Sequence, residues 1–288
     1  MELRTAQSRD IPALHALWHE AFGDDRAAID AFFQTCYKPE NTLIAAENGM
    51  PVSVLYWIEA DYRSVGETFS ARYIFAAATA KSARSKGYMS ALLDYARRTA
   101  EKRQIDLLFL VPAEETLFAY YGARGYISAF SKTVYTLTDA QLSAHADASP
   151  KRWEATAEQW ASVRETALHT VPHIVWSEPV LQLALRYGTM FDTEIFVTDS
   201  GYFTAERDGA SVLASEFCAE SGALPALCGA LSETVPAKQY VLHAPCGIKM
   251  PAILGAGETV QNGMLLPVSD RAGRLTDIQN AYIGITLG

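Results

Sequence analysis

The sequence predicts an α+β protein: a mixed central sheet flanked by helices, followed by a second, degenerate α/β domain of the same layout. Three observations carry that prediction. Some segments repeat apolar residues at three- and four-residue steps, and others are short unbroken apolar runs of strand length. Between Arg72 and Val111 a strand pattern, a glycine-bearing loop, a helix pattern and a second apolar run follow in the order of a right-handed crossover. The second half of the chain then repeats the first in outline.

Composition narrows the classes. Of 288 residues, 49% are apolar and 20% charged, which suits a large buried core and excludes a disordered or fibrous chain. With 24 Lys and Arg against 33 Asp and Glu the formal charge is −9. Strong net attraction to nucleic-acid phosphates or an anionic membrane is therefore not expected, and a cationic small molecule or peptide suits this field better. No stretch reaches the ~20 apolar residues that span a bilayer, and the first ten residues lack the apolar core of a secretory leader, so a cytoplasmic location is expected. Cys36, Cys218, Cys228 and Cys246 form no C-x-x-C pair and are read as reduced, buried thiols. His15 and His19 are four apart but lack the glutamate of H-E-x-x-H, and Pro172 disfavours a helix joining His169 to His173, so no metal is assigned.

In chain order, Asp10 to Phe22 reads as an amphipathic helix started by Asp10-Ile11-Pro12, and Ala27 to Tyr37 as a second. Leu43 to Glu47 and Val52 to Ala60 read as strands joined by Asn48-Gly49, a tight-hairpin signal. Arg72 to Thr79 is a third apolar strand, Ser90 to Lys102 a helix, and Leu107 to Val111 a buried parallel strand. Thr116 to Tyr121 begins a further helix, and strand-like residues run from Gly125-Tyr126 to Leu137. This gives a first domain of residues 1–138, a small polar linker at 139–150 with the boundary near 145, and a second domain of residues 151–288. Helices are expected around Ala155 to His169 and Glu178 to Tyr187. Strands are expected either side of Asp208-Gly209, where Tyr202 onward matches Leu43 onward as strand, Ala-Glu, turn, strand. The helix from Gly222 and the strand from Gln239 continue the parallel.

Chemistry concentrates in the loop after the third strand. Gly87 permits close approach of a ligand to backbone N–H groups gathered at a helix start, where anions bind, and Arg84 and Lys86 add positive charge. The run Arg84-Ser85-Lys86-Gly87-Tyr88-Met89 resembles the acyl-coenzyme A loop of the GNAT acetyltransferase superfamily, R/Q-x-x-G-x-G/A, with Met89 in place of the final small residue. Further on, Tyr121 and the pair Gly125-Tyr126 are similar to the family's tyrosine and Gly-aromatic signature. The resemblance runs over residues 1 to about 137 in element order, and the two-domain layout is similar to the tandem-domain, intracellular-survival (Eis-like) type.

The resemblance implies N-acetyltransfer from acetyl-CoA to a primary amine of a small molecule or peptide. Under it the cofactor-binding residues are Ala77, Ala78, Thr79, Arg84, Ser85, Lys86, Gly87, Tyr88, Met89 and Ser90, and the catalytic residue is Tyr121, with adjacent Tyr120 its rival. The strand from Arg72 holds no carboxylate, so the base stays open among water, Glu59, Asp61, Glu114, Glu115 and the Gly288 carboxylate. The second domain would shape the acceptor pocket. That type also carries a sterol-carrier-like domain, which the C-terminal half could instead be. Expected partners are acetyl-CoA and an amine acceptor, without nucleic acid or membrane, and a homo-oligomer is left open. The contrasting reading is an acyl-CoA-binding sensor or scaffold without turnover.

Overall fold

Proline in the first turn and a left-handed glycine at the end bracket the first helix. Pro12 needs no N–H partner there, and Gly23 (φ 78°) closes the helix by donating to the His19 carbonyl at 2.9 Å. The computed structural model describes all residues except 65, 145–149, 249, 251–253 and 288.

The elements are β1 (Glu2–Thr5), α1 (Ile11–Phe22), α2 (Arg26–Thr35), β2 (Thr42–Glu47), β3 (Met50–Ser64), β4 (Glu67–Thr79), α3 (Tyr88–Lys102) and β5 (Leu107–Leu110). They continue with α4 (Glu115–Gly122), β6 (Ile127–Thr138), α5 (Asp139–Ser143), α6 (Ala157–Leu168), β7 (His173–Trp176), α7 (Glu178–Met190) and β8 (Glu194–Val197). Last come β9 (Gly201–Asp208), β10 (Ser211–Ala219), α8 (Leu224–Thr234), β11 (Gln239–Pro245) and β12 (Glu258–Pro267). The chain forms two compact units: Met1–Asp61 with Phe69–Leu110 and Leu265–Leu275, and Tyr62–Thr68 with Val111–Met264 and Thr276–Gly288. Each unit draws on both halves of the chain, and within the second β6 takes β11 as a ladder partner from Lys132↔Pro245 to Thr138↔Gln239.

In the first unit the strand order is β1-β2-β3-β4-β5. The Asn48-Gly49 turn has both residues at positive φ (51° and 79°), the conformation whose twist suits a two-residue hairpin. β5 is fully buried and pairs parallel to β4, as its unbroken apolar run requires. On one face Trp18, Phe32, Tyr56 and Phe75 bring ring centroids to 4.9–5.5 Å. A buried ion pair ties β1 to the start of α1. Arg4 donates to both carboxylate oxygens of Asp10 (2.6 and 2.9 Å) and the Gln7 N–H adds a third bond at 2.7 Å. The Arg4 hydrogen bond holds the Asp10 carboxyl below its usual value of 3.8, against the opposing effect of burial.

Because the folded carboxyl is depressed, its stabilisation is complete above the unfolded value and disappears as pH falls through the folded one. Asp10→Asn is expected to lose about 1–3 kcal/mol in urea unfolding near neutral pH. The gap to the native chain should close below about pH 4; a gap constant down to acid would exclude the ion pair as its source.

In the second unit the order is β12-β6-β11-β10-β9-β8. The duplication is visible in topology: β8-β9-β10 are antiparallel neighbours, and β10 leads through α8 to the parallel β11. In the first unit β2-β3-β4 are successive neighbours, and β4 leads through α3 to the parallel β5. This corrects the register of the internal match. The sequence pairs β9–β10 with β2–β3, but the connectivity equates them with β3–β4. The Asp208-Gly209 turn resembles Asn48-Gly49, so local turn residues favour the wrong hairpin. The β10–α8 connection is four residues, Glu220 to Ala223, too short for a loop like that at Arg84.

Several other expectations change. Within the polar linker, 139–143 is a helix capped reciprocally by Thr138 and Gln141, while the boundary near 145 lies outside the described residues. β1, β7, β8 and β12 are additional strands. β1 and β8 are four-residue strands whose ladders, not their own patterns, define them. After a 3-10 turn at Ile278–Asn280 the C-terminal segment makes one bridge, Tyr282 to His173, and Gly284 (φ 74°) leaves the extended region. Cys36 and Cys246 are half-buried, while Cys218 and Cys228 are buried, and all four are free thiols.

Candidate functional site

The site is built first on β4. Its parallel ladder with β5 runs from Ala71↔Leu107 to Tyr73↔Phe109 and stops. β4 continues to Thr79, but Ala76 takes φ 44°, a left-handed conformation that breaks the pleat of a non-glycine strand residue. The far edge stays anchored to β3. Ser53 Oγ donates to the Ala78 carbonyl (3.0 Å), its oxygen lies 2.8 Å from Thr79 Oγ1, and the Ala80 N–H donates to the Val52 carbonyl at 2.9 Å. β4 is therefore held on one side while its last six residues, Ile74 to Thr79, lie beyond the ladder on the other. Here Ala78 is buried and Ala77 and Thr79 are half-buried, so little side-chain bulk fills the space.

The loop follows directly. Lys81–Ala83 is one 3-10 turn, and Ala83 is buried against Ala45 and Tyr88, pinning the loop to the sheet. Arg84 donates from Nε back to the Thr79 carbonyl (3.2 Å). Ser85 (φ 60°) and Gly87 (φ 83°) turn the backbone through the left-handed region. Arg84, Ser85, Lys86 and Gly87 are exposed, Met89 and Ser90 are half-buried, and Tyr88 is buried. Gly87 caps α3, whose first helical bond runs from the Ala91 N–H to the Gly87 carbonyl at 3.0 Å. The amides before Ala91 thus precede the ladder at the positive end of a fifteen-residue helix, an arrangement that accepts anions. Met89 does not interrupt the helix start.

Tyr121 lies in the second unit, on α4. Its half-buried ring meets Tyr120 and Tyr126 edge-on at centroid distances of 5.3 and 5.7 Å. Burial, with a smaller contribution from Tyr120 and against Arg124, pushes its phenol up to about 12. Tyr120 is engaged otherwise, with the Arg124 guanidinium 3.6 Å above its ring. Arg124 also donates to the Tyr120 carbonyl at 2.6 Å. Gly125 (φ 87°) ends this helix by a left-handed turn, and Tyr126 is buried behind it.

The acidic candidates separate. One Glu59 oxygen accepts from Lys38 (2.6 Å) and the other from Asn41 (2.9 Å), and Arg72 lies 3.9 Å away. Burial alone would raise this carboxyl, but the two hydrogen bonds and the Lys38 and Arg72 charges hold it below its usual value. Such a carboxylate is a weakened base. Glu114 is the exposed N-cap of α4, Glu115 is exposed in its first turn, and Asp61 is exposed in the first unit. Gly288 lies outside the described residues. Sequence reasoning missed Ser53, which carries no motif: its role follows from the β3–β4 pairing. Among the described residues no group of three or more His, Cys, Asp or Glu side chains is arranged to hold a metal ion. None of their helices is long and apolar enough to cross a membrane.

A strand running on past its parallel neighbour, then a glycine-capped helix start, agrees with a match of residues 2–129 to the acetyltransferase (GNAT) domain family. Residues 2–129 thus carry an acetyltransferase (GNAT) domain. Its fold is shared by solved structures at low identity. A GCN5-related N-acetyltransferase from Anabaena variabilis is 15% identical with a TM-score of 0.76, over 93% of this chain and 73% of that one. One from Kribbella flavida is 14% identical with a TM-score of 0.75, over 94% and 73%. Eis1 from Mycobacterium abscessus is 15% identical with a TM-score of 0.69, over 93% and 74%. No curated protein matches the chain.

Proposed function

We propose that this chain is an N-acetyltransferase that moves an acetyl group from acetyl-CoA directly to a primary amine of a small molecule or peptide. The observation that carries this reading is the stretch Ile74–Thr79, outside the β5 ladder and leading straight into the Gly87-capped helix start. An extended pantetheine arm can pair with such a strand edge as an added strand would. The cofactor's diphosphate then falls to the amides of Gly87, Tyr88, Met89 and Ser90, with Arg84, Ser85 and Lys86 at the rim and Ala77, Ala78 and Thr79 beside the thioester.

In the reaction the neutral amine attacks the thioester carbonyl, and a backbone N–H of the Ala77–Ala78 stretch supports the developing oxyanion. The new C–N bond forms as the C–S bond breaks. Tyr121, kept protonated by its raised value, donates to the departing sulfur. Water takes the proton released by the amine, since Glu59 is tied to Lys38 and Asn41.

The test is release of free thiol from acetyl-CoA across a panel of amines. Saturable, amine-dependent release supports the reading. Calorimetric uptake of acetyl-CoA without turnover on any amine would favour a sensor, and no uptake by folded protein would end both. A Cβ on Gly87 would meet nothing within 4 Å, so replacing this residue acts through backbone conformation alone. Gly87→Val is expected to cost about 1–2 kcal/mol in the bound geometry, or about tenfold in acetyl-CoA affinity by calorimetry. An unchanged affinity would detach the loop from the cofactor.

A further inference from the structure

β6 and β11 pair antiparallel with Val134↔His243 and Lys132↔Pro245 in register, which places Lys132 and His243 diagonally on one face of the second unit's sheet. The Lys132 Nζ lies 3.2 Å from His243 Nδ1, and both side chains are half-buried. Among the described residues no carboxylate lies within 4.0 Å of the Lys132 ammonium, although the chain carries 33 acidic residues. The titratable neighbours leave it equally uncompensated. Tyr135 is on β6 but alternates to the opposite face, and Cys246, just beyond β11, accepts from Thr133 on that same opposite face. A lysine so placed loses solvation without gaining an anion, which favours its neutral amine, and burial does lower it. His243 is held down to about 4 by burial and then by the Lys132 charge, so it is neutral and can accept a proton.

We infer that Lys132 is a self-acylation site, a nucleophilic amine that takes an acyl group from an acyl thioester while His243 Nδ1 accepts its proton. The Nζ lone pair forms a bond to the thioester carbon, the C–S bond breaks with its electrons on sulfur, and the adduct's extra proton passes to His243. The thiolate then takes that proton and leaves as free thiol, and Lys132 remains as an uncharged amide. With Lys132 neutral the charge that depresses His243 is absent, so the imidazole is a better acceptor than beside an ammonium. This chemistry rests on the proposed function only in that acetyl-CoA would be the thioester the chain meets. The site itself needs no diphosphate recognition.

The experiment incubates the full-length chain with S-acetyl-N-acetylcysteamine, a small thioester lacking the diphosphate, and follows each lysine by peptide mass spectrometry. Exposed Lys86 and Lys102 are the internal references. Lys132 is expected to acetylate at least about tenfold faster than either, because a positioned base takes its proton. His243→Gln should bring it down to the reference rate, and Lys132→Arg should remove the label. Far-ultraviolet circular dichroism and a cooperative thermal transition would show that both variants fold. Lys132 labelling no faster than the references, or equally fast in His243→Gln, would overturn the inference. So would labelling by acetyl-CoA but not by the small thioester, which would make Lys132 a substrate of the first unit's chemistry. Failure of acetyl-CoA turnover on free amines would leave the small-thioester result intact, so the two readings fail separately.

Discussion

Tyr121→Phe is expected to lower kcat about a hundredfold while leaving the KM for acetyl-CoA within about twofold, the loss of one proton donor acting in the transition state. The substitution keeps the edge contacts to Tyr120 and Tyr126 and deletes only the oxygen. The thermal midpoint should therefore move by no more than about 2 °C, as a sub-kcal/mol change in a chain of this size dictates. A hundredfold loss corresponds to about 2.7 kcal/mol of transition-state stabilisation, within reach of one hydrogen bond to a developing thiolate. The sign with pH follows from the raised phenol. With its value at about 12, Tyr121 stays in its donor form through the neutral and mildly alkaline range. Its ionisation therefore imposes no alkaline limb below about pH 10. Thiol-release kinetics over pH measures both. A Phe variant retaining a third or more of wild-type turnover would remove Tyr121 from the chemistry, and Tyr120→Phe is the matched control.

Glu216→Ala should be strongly destabilising, by about 3–5 kcal/mol, because it strands a buried guanidinium. Arg164 on α6 and Glu216 on β10 are 3% and 1% exposed and form a close ion pair, with Arg164 also donating to Tyr202 Oη at 2.8 Å. Burial pushes the Glu216 carboxyl up, and the charge and hydrogen bond of Arg164 pull it back. The pair need not be worth much in itself, since its mutual attraction must offset the desolvation of both groups. Arg164→Met with Glu216→Leu is accordingly expected to recover most of the loss. Gly284 belongs to the same arrangement, as an ideal Cβ there would clash with Glu216 Oε1. Urea unfolding of the single and double variants measures the effect. A loss below about 1 kcal/mol for Glu216→Ala would mean that water reaches Arg164 and no buried charge is left stranded.

How much of this was legible beforehand depended on range. The parallel β4–α3–β5 crossover was readable because each part has a local signature: an apolar run, a glycine before a helix period, a second apolar run too short for a helix. Gly87 and the Gly125 turn were readable because positive φ selects glycine. The helix at 139–143 was readable in principle, since Thr138 and Gln141 form a capping box, but its small polar composition resembled a linker. The strain at Ala76 was not readable, because alanine gives no hint of a left-handed strand residue. Nor was the engagement of Glu59, whose partners Lys38 and Asn41 come from the segment between α2 and β2.

What the amino-acid order determined by itself was the succession of elements from α1 to β6, the glycine-capped loop and the GNAT domain these define, because they rest on interactions between residues near in sequence. Tertiary structure alone decided where the β4–β5 ladder ends, which strand of the second unit corresponds to which of the first, and which charged side chains are paired. Those depend on contacts between residues distant in sequence, such as Arg164 with Glu216 and Lys132 with His243, which no periodicity records.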